Sequence, residues 1–182
     1  MALGAAAGCA VLVAAVLPAV ATPATAAACT PAQLLGNPGF ESGATAWTST
    51  AGAITSSTSR PAHTGSWKAW LGGNGTSATE SVAQSVTVPA GATAATLSFW
   101  LRTDTAETGS TAYDTLKVQV VSGTTTSTLA TYSNVGANAT WSQKSVSLAA
   151  YAGRTVTVKL LMTEDTTLQT SFVVDDTAVT TG

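Results

Sequence analysis

Three features of the 182-residue sequence predict an all-β protein made of two packed antiparallel sheets. Short runs alternate apolar and polar residues, and Gly, Asn, Ser, Thr and Pro turns separate them. β-Branched Thr and Val are abundant in those runs, as suits a pleated and half-buried surface. From residue 51 onward no long segment keeps a 3.6-residue apolar period. About nine short strands at this spacing point to a two-sheet sandwich.

In order, strands are expected at 51–57, 66–71, 79–88, 93–103, 114–122, 127–132, 141–148, 156–162 and 171–179. The clearest is 93–103, where Ala95, Leu97, Phe99 and Leu101 share one face and Thr96, Ser98, Trp100 and Arg102 the other. The first set reads as core. Leu116, Val118 and Val120 alternate with Lys117 and Gln119 in the same way, as do Val156, Val158, Leu160 and Met162 with Thr157 and Lys159. The Thr-rich stretch 123–127 reads as a hairpin loop, and 104–112 as a longer polar loop able to rim a site.

Composition narrows the function. Charged residues make up 9% of the chain, the net charge is −2, and the seven Lys and Arg are scattered, so the clustered basic face of a nucleic-acid binder is not expected. Mean hydropathy is positive, yet no run after residue 28 reaches the roughly 20 apolar residues of a bilayer span. Residues 1–28 read as a signal peptide. An apolar run from Gly8 to Val20 ends at Pro18 and Pro23, and Ala26-Ala27-Ala28 offers small residues for cleavage. A short linker, 29–33, would follow, then a single binding domain over 34–182. The expected location is extracellular. Cys9 would leave with the leader, so the mature chain keeps only Cys29 and no internal disulfide. Cys29 directly after the alanines offers a minor alternative, a lipid anchor.

Three spaced signals carry a resemblance. They are Asn37-Pro38-Gly39-Phe40-Glu41 with Trp47, then His63-Thr64-Gly65 ahead of Trp67-Lys68-Ala69-Trp70-Leu71, and finally Val174-Asp175-Asp176. Together they span about 34–180 and resemble the jelly-roll carbohydrate-binding modules and related galactose-binding-like domains of secreted bacterial proteins. The resemblance implies a jelly roll rather than an immunoglobulin-like order. It also implies a non-catalytic partner for a polysaccharide or other glycan, often attached to a secreted enzyme.

The same resemblance implies a structural calcium joining the Phe-Glu segment to the last strand. Glu41 and Asp175 would be side-chain ligands, with Asp176 the alternate and carbonyls supplied by the loop 63–68. Hard carboxylate oxygens suit calcium. The same acids could instead cap turns or pair with Lys68 or Arg154. A sugar site needs a flat aromatic with polar groups beside it. Trp100 meets that description, with Arg102 beside it, Gln119 across a neighbouring strand, and Tyr113, Asp114 and Tyr132 at the rim. The alternative for Trp100 is to lie under a loop.

An enzyme is not expected. His63 is the sole histidine, no Gly-x-Ser-x-Gly elbow accompanies it, and the acids fall mostly in loops. The expected function is glycan binding. The alternative is an accessory protein-interaction domain like those of secreted proteases.

Overall fold

The computed structural model describes residues 32–182; the expected signal peptide and Cys29 lie outside the described residues. Among the described residues the strands are β1 (Ala32–Gln33), β2 (Thr48–Ser49), β3 (Ile54–Thr55), β4 (Lys68–Gly72), β5 (Ala78–Thr87), β6 (Ala95–Thr105), β7 (Thr115–Ser122), β8 (Thr125–Ser133), β9 (Ser142–Ser147), β10 (Thr155–Glu164) and β11 (Thr170–Thr181). The only helical element among them is a single 3₁₀ turn, Ala149–Tyr151. None is a helix long and apolar enough to cross a membrane.

The first sheet runs β3-β4-β11-β6-β9, with β1 added to the end of β11; the second runs β2-β5-β10-β7-β8. Every pairing is antiparallel. From β4 to β11 the chain changes sheets at each connection except the β7–β8 hairpin. Sheets ordered 4-11-6-9 and 5-10-7-8 are the jelly-roll arrangement. The all-β, two-sheet expectation therefore stands.

The core follows strand parity. Ala95, Leu97, Phe99 and Leu101 of β6 meet Leu116, Val118 and Val120 of β7 and Val156, Val158, Leu160 and Met162 of β10 in one buried cluster. β5 contributes Val82 and Val86, with Gln84 between them. That buried amide accepts the Gly36 N–H at 2.6 Å and donates to the Gly36 carbonyl at 3.0 Å, so its burial leaves both groups satisfied.

Four boundaries differ from expectation. The 51–57 strand shrinks to Ile54–Thr55, because a turn precedes it and the chain after it swings out over the first sheet. Ala32 and Gln33, expected in a linker, pair with Thr181 and Thr180. The Gln33 side chain holds them there by accepting the N–H of Leu35 and Val179. The 123–127 loop is only Gly123-Thr124, since Ser122 already pairs with Thr125; β-branched Thr prolongs the strand to the turn. At the other end, Thr105 stays in β6 because it pairs with Thr170 and shares a 2.7 Å hydroxyl contact with it.

β11 is buried on both faces. Phe172 and Val174 point into the core while Val173 and Asp175, on the outward face, are also fully covered. A strand so placed loses its polar alternation. Phe99→Asp should test the register directly, because it buries an unpaired charge between the sheets. A loss of about 3–5 kcal/mol in denaturant unfolding is expected, and an undiminished midpoint would contradict the inward assignment of Phe99.

Candidate functional site

The turn-rich segment 34–47 is built around Asn37. Its amide donates to the carbonyls of Gly43 (2.8 Å) and Thr45 (3.2 Å), its Oδ1 accepts the Ser42 N–H, and its own carbonyl accepts the Trp47 indole N–H at 3.0 Å. Asn37 has φ +49, a left-handed conformation Asn tolerates better than most residues. Phe40 and Trp47 are thereby turned into the core with ring centroids 5.0 Å apart. Glu41, on the other side of the turn, faces outward to the loop 56–67.

That loop lies across the outward face of the first sheet, and three carboxylates receive it. Glu41 Oε1 accepts the N–H groups of Ser66 (2.9 Å) and Trp67 (2.8 Å). Asp175 Oδ2 accepts those of His63 (2.8 Å) and Thr64 (3.2 Å), while its Oδ1 accepts the Asp176 N–H at 2.7 Å. Asp176 takes the Thr64 hydroxyl on Oδ1 and the His63 Nδ1 on Oδ2, both at 2.6 Å. A bulge between Asp175 and Ala178, with Asp176 at φ +44, turns both acids toward the loop despite their adjacent positions. Beyond it Thr177 donates its N–H (3.0 Å) and hydroxyl (2.7 Å) to the Pro38 carbonyl, which joins the first segment to the last strand.

Burial pushes the Asp175 carboxyl up, the three backbone N–H groups pull it down, and the Asp176 charge pushes it up again, for a net rise. Lys68 is the buried cation nearby. Its Nζ donates to the Ser57 carbonyl, burial pushes its ammonium down, and attraction to Asp175 partly restores it. The donor chemistry of Glu41, Asp175 and Asp176 fits calcium, since these are hard oxygens with more negative than positive charge around them. Their arrangement is looser than a closed cage. Their engaged oxygens face N–H and O–H donors, and among the described residues no three His, Cys, Asp or Glu side chains gather as a metal-binding group.

The loop also covers aromatic surface. The His63 ring stacks on Trp100 with centroids 4.1 Å apart and planes 17° apart, and meets Trp141 edge-on at 5.2 Å. The Arg60 guanidinium lies 5.7 Å from the Trp70 ring centroid. Arg102 makes a two-pronged pair with Asp104 at 2.8 and 2.9 Å, which raises its pKa further. Trp100 thus does lie under a loop, with one ring face taken by His63, and Arg102 is committed to Asp104.

The five residues expected to share one sugar-binding face do not meet. Trp100 and Arg102 stand on the outer face of the first sheet. Gln119, through the alternation of β7, stands on the outer face of the second and donates to Thr128 Oγ1 at 3.4 Å. Tyr113 is 48% exposed in the loop before β7. Tyr132 sits at the open side of the sandwich, edge-on to Phe99 with centroids 6.1 Å apart. Strand parity alone could not reveal this, because it does not say which sheet a strand joins.

Tyr132 belongs instead to a groove of about 400 Å³ where the β8 and β9 edges face each other. Leu101, Thr103, Thr131, Ser133, Asn138, Thr140 and Ser142 line it. Lys144 also lines it and puts its ammonium 5.4 Å from the Tyr132 ring centroid. Burial pushes the Tyr132 hydroxyl up, so the phenol stays protonated and able to donate. An aromatic ring, an ammonium, an amide and several hydroxyls in one open groove form a neutral-polyol binding chemistry. Sequence reasoning missed Lys144, whose neighbour Tyr132 is on a different sheet.

No family model matches the chain, and no curated protein matches it. Solved structures do. A family 61 carbohydrate-binding module, TmCBM61, solved with β-1,4-galactotriose, aligns over 81% of this chain and 97% of its own at 17% identity, with a TM-score of 0.60. The K3 cleaved adhesin domain of Lys-gingipain from Porphyromonas gingivalis aligns over 84% and 100% at 19% identity, TM-score 0.58. A family 16 carbohydrate-binding module aligns over 80% and 98% at 17% identity, TM-score 0.51. At these identities the similarity establishes a shared β-sandwich fold.

The Asp175 seam predicts a pH dependence. An acid whose folded pKa is raised favours the folded state most below the ordinary aspartate range, about 3.9, and loses that contribution as the pH rises through the raised value. In chelator, wild-type stability should fall relative to Asp175→Asn as the pH rises from about 4 toward neutrality. Parallel curves of unfolding free energy against pH would show that Asp175 does not titrate differently in the folded chain.

Proposed function

We propose that the domain is a non-catalytic carbohydrate-binding module, exported by the leader at 1–28, which holds a glycan in the groove between the β8 and β9 edges. The observation that carries this reading is the Tyr132–Lys144 pair. A half-buried ring gives apolar sugar faces a surface, and the ammonium, Asn138 and the Thr and Ser hydroxyls supply partners for sugar hydroxyls. The carbohydrate-binding modules that share the sandwich support the same reading. His63 fits a positioning rather than a catalytic role, because Nδ1 is bound to Asp176 and the ring is packed on two tryptophans.

Open grooves of this kind bind weakly. Dissociation constants on the order of micromolar to millimolar correspond to roughly −8 to −4 kcal/mol. The test is depletion of the protein from solution by a panel of insoluble polysaccharides. Retention on at least one glycan is expected, with Tyr132→Ala and Lys144→Ala each weakening it by about tenfold, near 1.4 kcal/mol, and Gln119→Ala leaving it unchanged. Folded protein that stays in solution with every glycan would refute the reading. The adhesin domain among the similar structures, together with the one-sided pairing of β8, would then favour docking of a secreted protein on that free strand edge.

Calcium at Glu41, Asp175 and Asp176 is part of the same proposal, supported by the charge excess around Lys68. An ion there would take oxygen ligands from these acids and from carbonyls of the loop 63–68. Binding only to the folded chain, it should raise the melting temperature with increasing calcium, and Glu41→Gln should reduce that rise. Superimposable melting curves in calcium and in chelator would count against any resident ion.

A further inference from the structure

A second group of acids lies at the end of the sandwich where β6 passes to β7, away from the Asp175 seam. Glu107 stands near the start of the 106–114 loop, Asp114 closes it, and Asp165 opens the turn between β10 and β11. Two hydrogen bonds press that loop onto the turn. The Asp165 N–H donates to Asp114 Oδ1 at 2.9 Å, and the Ala106 N–H donates to the Gln169 carbonyl at 2.8 Å.

Asp114 is fully buried. Its Oδ2 and the Oε1 of Glu107 are both shielded from solvent, and neither has a hydrogen-bond partner among the described residues. Each such oxygen is unusual, because a buried carboxylate oxygen is costly without a donor or a cation. No ion pair among the described residues reaches Glu107, Asp114 or Asp165. The three are also electrostatically close. After burial, the charges of Asp165 and then Asp114 hold the Glu107 carboxyl above its ordinary range.

The Asp114 main chain is pinned on both sides. Its N–H donates to Asn134 Oδ1 at 3.1 Å, its carbonyl accepts the Asn134 N–H at 3.2 Å, and the Asn134 amide donates to the Thr111 carbonyl at 2.9 Å. The backbone that carries the carboxylate is thus fixed, and the Asp165 N–H holds its Oδ1.

We propose that Asp114 Oδ2 and Glu107 Oε1 face a site for a hard divalent cation, calcium, separate from the seam at Glu41 and Asp175. Among the described residues no three His, Cys, Asp or Glu side chains gather as a metal-binding group, so water and backbone carbonyls would have to complete its shell. Calcium tolerates such an irregular shell of oxygens, whereas magnesium demands a near-octahedral one. The ion braces the 106–114 loop and, through Asn134, the stretch that continues into Val135 and Asn138 at the wall of the groove. Its existence does not depend on what the groove binds.

Calcium titration of the chain by calorimetry, with three variants, tests this. The expected result is a binding step that Asp175→Asn retains and Glu107→Gln weakens by about tenfold or more. Asp114→Asn should abolish the same step; should that buried replacement fail to fold, Glu107→Gln carries the test, because its position is less buried. A protein that takes up no calcium, or one whose every calcium step survives Glu107→Gln unchanged, overturns the site. Depletion by polysaccharides is a separate readout, so failure of the cation site and failure of the glycan reading are distinguishable.

Discussion

The carboxylate of Asp175 is the group on which the outer surface of the first sheet depends. It sits on the central strand with no exposure to solvent, where an unaccompanied charge would be strongly unfavourable. The loop 56–67 supplies two N–H donors and the bulge supplies a third, so covering the acid and satisfying it are the same event. Once the loop is held there, His63 is placed on Trp100 and Arg60 near Trp70. Gly65 contributes at the same point. At φ +61 it brings the backbone so near the Glu41 carboxylate that a Cβ would collide with it, and this close approach lets Ser66 and Trp67 donate to the acid.

Much of the fold was legible because alternation reports burial directly. Phe99, Val118, Val158 and their neighbours are inward as their spacing requires, and the strands they define lie within a few residues of their expected limits. The two-residue strands β1 and β2 left no such trace, since two residues cannot display a period. The parity of Phe172 to Asp176 was unreadable for another reason: β11 is covered on both faces and then breaks register at a bulge. The meeting of Glu41, His63, Asp175 and Asp176 was legible as a motif. The groove was not, because Tyr132 and Lys144 lie on strands that adjoin only where the edges of two different sheets come together.

The polar chemistry of the molecule is divided by this architecture. Aromatic and charged residues on the outside of the first sheet are turned upon one another, Trp100 with His63 and Arg102 with Asp104, and so serve to fasten a loop. The outward positions of β5, β7 and β10 carry Thr, Ser, Lys and Gln together with Ala83, Val121 and Leu161, and no aromatic. Between these two faces the open β8–β9 side joins an aromatic ring to an ammonium and to side-chain hydroxyl and amide groups. A sandwich closes its core at every side except where edge strands of opposite sheets diverge, and here that side is where Tyr132 is left half-buried.

The position of β11 bears on how the chain acquires its structure during synthesis. The 12 residues of this strand follow every other strand of the domain in sequence, yet they occupy the middle of the first sheet, between β4 and β6. β4 can pair with β3 and β6 with β9 beforehand, but each gains its second neighbour only once β11 has been made. Non-local pairing of this kind makes folding late and slow relative to local structure. Until then the two parts of the first sheet, β3-β4 and β6-β9, have no strand to join them, so β11 is the keystone that turns two separate ribbons into one layer.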